Sequence, residues 1–273
     1  MASILRTAIV TGSESGIGRA AALALAAKKY AIGVCWNRDN AAGEAVAEEI
    51  RSKGGKAEVR HLDLSDPLGA GKVADAFIGS FGRLDALCNV AGMFTAANTL
   101  DITFDDYRKV MAVNTDGPFV LAQRAARQFV KQGGGGVIVN VTSVHEHTPN
   151  PGQAAYVASK HALGGLTKAM ALDLAQYGTR VCAVAPGFIA SPMTMSDGAD
   201  VHSIKVPRVP MGRMGDPMEV GKVIAFLCSD DASYVTGQSW AVDGGFLLVN
   251  PHWGGGGLTE GMDPPLQFGT NSE

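Results

Sequence analysis

Short apolar runs rich in β-branched residues alternate along this chain with longer stretches in which apolar residues recur every three or four positions. The short runs are typical of buried strands, and the recurring pattern is typical of helices that bury one face. Seven strands are predicted, over residues 7–10, 31–36, 57–62, 84–90, 137–141, 180–185 and 239–242. Helices are predicted over residues 17–28, 41–53, 68–81 and 105–131.

The regular order of strand and helix favours parallel strands, because each connecting helix must cross a face of the sheet. We therefore predict an α/β protein with a single Rossmann-type domain over residues 1–250. Its doubly wound parallel sheet has seven strands and carries helices on both faces. Residues 251–273 contain a glycine run and paired prolines, which favour an irregular C-terminal tail.

Two interruptions of the pattern are interpreted as connections within this domain. Four consecutive glycines at 133–136 follow the long helix and predict a turn before the fifth strand. Residues 191–215 follow the sixth strand and show little periodicity. We expect this stretch to close over a ligand, and the alternative is an inert surface loop.

Composition and charge narrow the classes of partner. Of the 273 residues 46% are apolar, which is enough for a large core, and the formal net charge is -3. A chain without a basic excess is not expected to bind nucleic acid or an anionic membrane surface, so the expected partner is a small molecule. No apolar run is long enough to cross a bilayer, and residues 1–11 lack the layout of a signal peptide, so a cytoplasmic location is expected.

The cysteines and histidines predict neither disulfides nor a metal site. The four cysteines lie far apart in apolar surroundings, which favours reduced core thiols. His145, Glu146 and His147 are adjacent, but no further ligand cluster accompanies them, so no metal is expected.

A glycine-rich turn, Thr-Gly-Ser-Glu-Ser-Gly-Ile-Gly at 11–18, follows the first strand and opens a helix. Gly12, Gly16 and Gly18 lack a Cβ, so a pyrophosphate can approach the backbone at the positive end of the helix dipole. Tight turns also need glycine for reasons unconnected with ligands. The position between strand and helix favours the phosphate-binding interpretation.

A second group of polar residues follows the fifth strand. Ser143 lies at the carboxyl end of that strand, and Tyr156 and Lys160 are four residues apart, on one face of a predicted helix. Hydride transfer to a carbonyl requires a proton, and a nearby ammonium lowers the pKa of a phenol, so that it can exchange that proton. Ser143 would stabilise the developing oxyanion. The alternative for Tyr156 and Lys160 is simple packing at the surface.

In order and spacing these motifs resemble the short-chain dehydrogenase/reductase family over residues 6–246. The resemblance rests on the glycine turn, Asn-Val-Ala-Gly at 89–92, Ser143, Tyr156-xxx-Lys160 and Pro-Gly at 186–187. It implies an NAD(P)-dependent dehydrogenase or carbonyl reductase with Tyr156 as general acid and base. It also implies that Asn114 anchors a water in a proton relay, whereas a bond from Asn114 to helix backbone is the alternative.

The resemblance implies a set of cofactor contacts along the carboxyl edge of the sheet. Besides Tyr156 and Lys160 these are Gly12, Ser13, Ser15, Gly16, Ile17, Gly18, Trp36, Asn37, Arg38, Asp63, Leu64, Asn89, Ala91, Gly92, Pro186, Gly187, Ile189 and Ser191.

The end of the second strand bears on the choice of cofactor. Trp36 stands where the resemblance places an acid that holds the ribose of NAD, and Arg38 would instead pair with the 2′-phosphate of NADP. Ser15 stands where many NADP-using relatives carry a basic residue, and Glu14 is acidic, so both oppose this interpretation. We expect NADP(H) to be favoured over NAD(H); the alternative for Arg38 is a solvated surface residue.

The substrate is expected to contact residues that the family does not fix, namely Met93, Phe94, Val144, His145 and Phe188. The segment 143–146 resembles glucose dehydrogenases, and the run to 165 resembles bacterial reductases of small ketones and diketones. We expect a small ketone, diketone or hydroxyketone such as diacetyl or acetoin. The alternatives are a sugar or polyol dehydrogenase, a 3-oxoacyl-carrier reductase, and a catalytically idle dinucleotide-binding regulatory protein. The resemblance also implies a homotetramer, or else a homodimer.

Overall fold

The seven predicted strands form one parallel sheet in the computed structural model, which describes residues 5–191 and 204–249. The strand order is β3-β2-β1-β4-β5-β6-β7, which is the doubly wound arrangement predicted from the sequence. The strands are β1 Thr7–Val10, β2 Ala31–Trp36, β3 Ala57–His61, β4 Ala86–Asn89, β5 Gly136–Val141, β6 Thr179–Pro186 and β7 Ser239–Val242.

Helices connect the strands, and several of them begin at a side chain that accepts a hydrogen bond from the first turn. Asp39, Asp66 and Thr103 do so for α2, α3 and α4, and Asp216 with Glu219 forms a capping box on α7. The helices are α1 Gly16–Ala27, α2 Asn40–Ser52, α3 Pro67–Phe81, α4 Phe104–Met111, α5 Gly117–Gln132, α6 Ala154–Ala175 and α7 Pro217–Leu227.

Two apolar cores lie on the two faces of the sheet. One contains Leu25 of α1, Ile50 of α2 and Ile224 of α7. The other contains Phe77 of α3 and Phe129 of α5. All five side chains are almost completely buried, so each helix is fixed against the sheet and the ends of the strands are held in place.

The long helix predicted over 105–131 is interrupted, which the sequence did not indicate. A π-helical turn, Ala112–Asp116, separates α4 from α5 and carries the buried Asn114. A π turn inserts one residue and shifts the apolar pattern by a single position, while helical periodicity continues on both sides, so the sequence pattern predicts one long helix.

Some strand limits also differ from the prediction. The fourth strand is shorter at both ends because the Leu84 and Val90 amides donate to side chains, the Gln132 Oε1 and the Thr11 Oγ1. The glycines 133–135 form the predicted turn with positive φ, while Gly136 already belongs to β5.

Part of the predicted ligand-closing loop, residues 192–203, lies outside the described residues, and so does the predicted tail, 251–273. The rest of that loop is anchored: Lys205 bridges Arg213, and Gly215 bridges Ile189 just after β6. No helix of the described residues is long and apolar enough to span a membrane. Nor do residues 5–191 and 204–249 contain a group of three metal-ligating side chains.

Candidate active site at the carboxyl edge of the sheet

The predicted site residues converge on the edge where the parallel strands end. The glycine-rich turn follows β1, Asn89 ends β4, Ser143 follows β5 and Pro186 ends β6. In the sheet β1 lies between β2 and β4. The strands after β1 are added on one side of it up to β3 and on the other side from β4 onward, so the strand order reverses direction at β1. In open α/β sheets ligands bind in the crevice at such a reversal.

The backbone of the glycine-rich turn accommodates a phosphate group. Gly12 and Gly16 have φ of 65° and 50°, where side chains are strained. A Cβ on Gly18 would lie 1.9 Å from the Gly12 carbonyl oxygen. The N-cap residue of α1, Ser15, makes no side-chain capping bond, so its side chain does not occupy the first amides of the helix. These residues fit the pyrophosphate of a dinucleotide.

Two hydroxyl groups fix this turn to the strands. The Ser13 hydroxyl donates to the Val10 carbonyl and accepts from the Cys35 amide at 3.2 Å, so this side chain stabilises the turn from behind. The Thr11 Oγ1 accepts from the amides of Val90 and Ala91, both at 2.9 Å. Thr11 therefore ties the end of β1 to the end of β4, a role that the sequence analysis did not assign.

At the adenosine end of the crevice, Trp36 packs against His61 with ring centroids 4.7 Å apart. Arg38 is exposed and forms no ion pair with the residues that the structure describes. The Glu14 Oε1 accepts from the Asn37 amide at 3.1 Å. The Glu14 Oε2 is buried, with no hydrogen-bond partner in the described part of the chain. A carboxylate thus lies against the backbone just after β2, near the position predicted for the ribose.

Asp63 and Asn89 both use their side chains within the fold. The Asp63 carboxylate accepts from the amide and the hydroxyl of Ser65, and these bonds lower its pKa. The Asn89 Nδ2 donates to the Asn140 Oδ1 at 2.9 Å, and the Asn140 Nδ2 donates to the Thr167 hydroxyl. This network joins β4, β5 and α6 beneath the crevice. Leu64 is buried and packs against Gly117.

Tyr156 and Lys160 lie on α6 beside Ser143, as the spacing predicts. The Lys160 Nζ donates to the Val141 carbonyl at 3.0 Å and lies 5.5 Å from the centre of the Tyr156 ring. A Cβ on Gly92 would come within 3.3 Å of that Nζ, so glycine leaves room for the lysine. The Ser143 Oγ accepts from the His145 amide at 3.1 Å, which leaves its proton free to donate.

Burial sets the protonation of this cluster. It raises the pKa of Tyr156 above its ordinary value of 10, while a hydrogen bond with Ser143 opposes the rise. The expected lowering of this pKa by Lys160 is therefore not the dominant effect. Burial lowers the pKa of Lys160 to about 8, and the Glu146 charge opposes that change. A phenol with a raised pKa holds its proton, the form that reduction of a carbonyl needs.

Asn114 is held inward by the π turn and clamps the segment after β4. Its Oδ1 accepts from the Met93 amide and its Nδ2 donates to the Met93 carbonyl, both at 2.8 Å. The same Nδ2 donates to the Ser159 hydroxyl at 3.0 Å. The side-chain amide is thus engaged with backbone outside its own helix, and it connects α6 to the residues that border the crevice.

Two aromatic rings pack against Tyr156. The Phe94 ring stands edge-on to the Tyr156 ring, 6.1 Å away between centroids, and the His145 ring does the same at 6.2 Å. Phe188 is partly exposed and packs against Phe246. Val144, also expected near the substrate, is buried.

The segment after β6 is fixed by β7. The Gly187 amide donates to the Val242 carbonyl at 3.0 Å, and a Cβ on Gly187 would lie 2.8 Å from the Asp243 Cα. The Ala190 amide donates to the Gly215 carbonyl at 3.0 Å. This places residues 186–191 at the same edge as the other predicted contacts.

Glu146, which the sequence offers as a metal ligand only without a supporting cluster, lies in the structure against α6. Its carboxylate is buried, contacts the His147 Nε2 at 3.1 Å and occupies the space beside Gly164. Gly164 follows Lys160 by one helical turn, so Glu146 supplies negative charge to the face of α6 that carries Tyr156 and Lys160. An acid three residues after Ser143, with a glycine four residues beyond the lysine, was the available signal.

A parallel α/β sheet with a glycine-rich turn that fits a phosphate and this Ser-Tyr-Lys cluster is typical of nicotinamide-dependent oxidoreductases. Residues 11–247 match the family model described as enoyl-(acyl carrier protein) reductase. The chain belongs to the short-chain dehydrogenase/reductase family and is an NAD(P)-dependent oxidoreductase acting on CH–OH or C=O groups.

Close relatives cover nearly the whole chain. The oxidoreductase YohF of Escherichia coli is 48% identical over 91% of this chain and 98% of its own. The crystal structure of an acetoin dehydrogenase from Enterobacter cloacae is 50% identical, with a TM-score of 0.86, over 92% of this chain and 98% of that chain. The 3-oxoacyl-[acyl-carrier-protein] reductase FabG of Staphylococcus aureus is 36% identical over 89% of this chain and 98% of its own.

Proposed function

We propose that the protein interconverts a small ketone and its alcohol with Tyr156 as general acid and base. The observation that carries this proposal is the joint position of Ser143, Tyr156 and Lys160 beside the glycine-rich turn. A nicotinamide bound in the crevice supplies or accepts the hydride at the carbonyl carbon.

In reduction, the Tyr156 Oη gives its proton to the carbonyl oxygen as the carbonyl carbon is reduced. Burial favours this direction of transfer because it keeps the phenol protonated. The Ser143 hydroxyl donates to the same oxygen and stabilises its developing charge. Lys160 stabilises the phenolate that remains, and Asn114 is proposed to anchor the water through which the proton is replaced.

We propose a ketone, diketone or hydroxyketone of about four carbons as the substrate. Support comes from the relative named acetoin dehydrogenase and from the two aromatic rings that pack against Tyr156, which favour a compact substrate. A 3-oxoacyl thioester is the second candidate, because the FabG relatives carry that name. Sugars and polyols are a further alternative.

A substrate panel separates these candidates. Purified protein is assayed with NADH and with NADPH against diacetyl, acetoin, butan-2-one, glucose and an acetoacetyl thioester, and nicotinamide absorbance is followed. We expect the highest kcat/KM among the four-carbon carbonyl compounds. A higher value for the thioester or the sugar would replace the proposal by that alternative, and no turnover of any substrate would favour an idle regulatory protein.

We propose the crevice contacts named from the family resemblance as the dinucleotide site, with NADP(H) favoured over NAD(H). Arg38 is exposed at the end of β2, where a guanidinium can pair with the 2′-phosphate. Glu14 accepts a hydrogen bond from the Asn37 amide, close to Arg38 in sequence. Its negative charge would repel the 2′-phosphate of NADP, so the preference for NADP(H) over NAD(H) should be small.

The cofactor preference predicts unequal effects of Arg38→Ala. Dissociation constants measured by fluorescence titration should rise about tenfold for NADPH and less than twofold for NADH, since loss of a charge-assisted pair costs about 1.5–3 kcal/mol. Equal weakening of both cofactors contradicts the 2′-phosphate contact. Arg108→Ala on α4 serves as a control for general loss of positive charge.

We further propose a cytoplasmic homotetramer. All four cysteines are buried and unpaired, as expected in a reducing compartment. Large apolar side chains are exposed at Leu100, Phe104, Leu172 and Leu248, which is typical of surfaces covered by other subunits. Light scattering should give four times the chain mass of 28.3 kDa. A monomer would contradict the assembly.

A further inference from the structure

His145 is the one polar ring that flanks Tyr156 among the described residues. It directly follows the Ser143–Val144 pair, and its amide donates to the Ser143 Oγ at 3.1 Å. Its ring stands edge-on to Tyr156 at 77°, with centroids 6.2 Å apart. The apolar ring of Phe94 also stands edge-on to Tyr156, with centroids 6.1 Å apart. A substrate whose carbonyl oxygen reaches Ser143 and Tyr156 therefore lies near an imidazole and a phenyl ring.

The tautomer of this imidazole follows from its hydrogen bond. The His145 Nδ1 lies 2.9 Å from the carbonyl oxygen of Thr148. A carbonyl oxygen only accepts, so Nδ1 carries the proton and donates. In the neutral ring the Nε2 is then an acceptor. Residues 5–191 and 204–249 supply no donor to this Nε2, and the ring is partly exposed.

A hydrogen-bond acceptor at the Nε2 of His145 distinguishes substrates by the chemical group on the carbon next to the reacting carbonyl. A 2-hydroxyketone presents a hydroxyl donor there, whereas a 1,2-diketone presents a second acceptor and a simple ketone presents only a methylene or methyl group. Two acceptors facing each other lose their hydration without gaining a bond. A site built to bond a substrate hydroxyl rejects analogues that lack it.

We propose that the Nε2 of His145 accepts a hydrogen bond from a hydroxyl on the carbon next to the reacting carbonyl, so that the enzyme selects 2-hydroxyketones and vicinal diols over 1,2-diketones. In the balanced reaction, hydride from the reduced nicotinamide reaches the carbonyl carbon, the proton of the Tyr156 Oη reaches the oxygen, and the product is a vicinal diol. With acetoin this is reduction to butane-2,3-diol, and the reverse reaction oxidises one hydroxyl while the other stays bonded to His145. This assignment rests on the proposed function of the Ser143, Tyr156 and Lys160 cluster.

The test compares three substrates with the same four-carbon skeleton: acetoin, diacetyl and butan-2-one. His145→Asn keeps a side-chain amide near the Nδ1 position, where it can donate to Thr148, but removes the acceptor at the Nε2 position. We expect kcat/KM for acetoin to fall about fivefold to tenfold, mainly through KM, because one neutral hydrogen bond contributes about 1 kcal/mol. The value for butan-2-one should change less than twofold, and the value for diacetyl should not fall.

Two further variants make the result specific. His145→Gln places an amide oxygen near the Nε2 position and should restore part of the preference for acetoin. His161→Asn is the matched control, because the His161 Nδ1 bonds the Val157 carbonyl at 3.0 Å in the same manner but at an exposed position on α6. This control should leave the acetoin-to-diacetyl ratio unchanged. Thermal melting of each variant verifies the fold.

The outcomes are separable from those of the proposed function. If the wild type turns over the four-carbon compounds but His145→Asn lowers all three equally, the residue has a structural role and the inference is wrong. An unchanged ratio in His145→Asn also overturns it. If the wild type reduces none of the three but reduces a thioester or a sugar, the proposed substrate class fails, and the assignment to His145 fails with it.

Discussion

The buried ammonium of Lys160 sets the pH range in which the site can work. Its pKa is lowered to about 8 by burial, so the charged form is present below about pH 8 and is lost as the pH rises through that value. The carboxylate of Glu146 opposes this loss because negative charge favours the ammonium. Tyr156 stays protonated over the same range because burial raises its pKa.

Glu146→Gln should therefore move the alkaline limb of the reduction to lower pH. The amide keeps the shape of the side chain beside Gly164 but removes the charge, so Lys160 loses its proton earlier. The measurement is the pH dependence of kcat/KM at saturating cofactor, with Glu58→Gln on β3 as the control. Profiles of wild type and Glu146→Gln that coincide would show that this carboxylate does not act on the lysine.

At the scale of residues, spacing predicted which groups meet but not how their environment changes them. Ser143, Tyr156 and Lys160 follow from a strand end and a four-residue helical interval. The raised pKa of Tyr156 does not, because burial depends on residues distant in sequence such as Phe94. The Glu14 bond to the Asn37 amide likewise depends on the path of β2 relative to the turn.

At the scale of elements, α1 depends on a close approach to α7. A Cβ on Gly221 of α7 would lie 2.7 Å from the backbone carbon of Ala20 in α1. Since α1 opens with the glycine-rich turn, this contact fixes the helix end that would bind phosphate. Gly79 of α3 is also a glycine within a helix, but a Cβ added there would have no neighbouring atom within 4 Å.

Alanine at these two glycines should change stability in opposite directions. Gly221→Ala forces the helices apart and should lower the free energy of unfolding by about 1–3 kcal/mol. Gly79→Ala removes the flexibility of glycine in a helix and should raise it by up to about 1 kcal/mol. Urea denaturation followed by circular dichroism gives both values. Equal effects at the two sites would contradict the close packing of α1 on α7.

The alternation of strands and helices was predictable because every strand carries its own apolar run. The π turn at 112–116 was not, since a single inserted residue shifts the apolar pattern by one position and leaves helical periodicity in both α4 and α5. It matters for the site, because this turn carries Asn114, whose amide holds Met93. The limits of β4 were also missed, as they depend on side chains of Thr11 and Gln132.

At the scale of the whole molecule, the parallel sheet gathers groups from distant parts of the chain at one edge. The glycine-rich turn after β1 and the Ser-Tyr-Lys cluster after β5 are more than a hundred residues apart, yet Thr11 and Gly92 connect them through the end of β4. The sequence predicted that these groups meet, because alternating strands and helices imply parallel strands, and parallel strands have their carboxyl ends at one edge of the sheet. It did not predict the burial of Glu146 or the tautomer of His145, which require the fold of the 144–148 segment.

The central claim is that Tyr156 exchanges the proton while the rest of the fold binds the dinucleotide. Tyr156→Phe removes only the hydroxyl and keeps the ring that packs against Phe94 and His145. The decisive measurement is the reduction rate of this variant together with its dissociation constant for NADPH. We predict a loss of about 10²–10⁴-fold in rate with a dissociation constant within about threefold of the wild type. A rate within tenfold of the wild type would contradict the account.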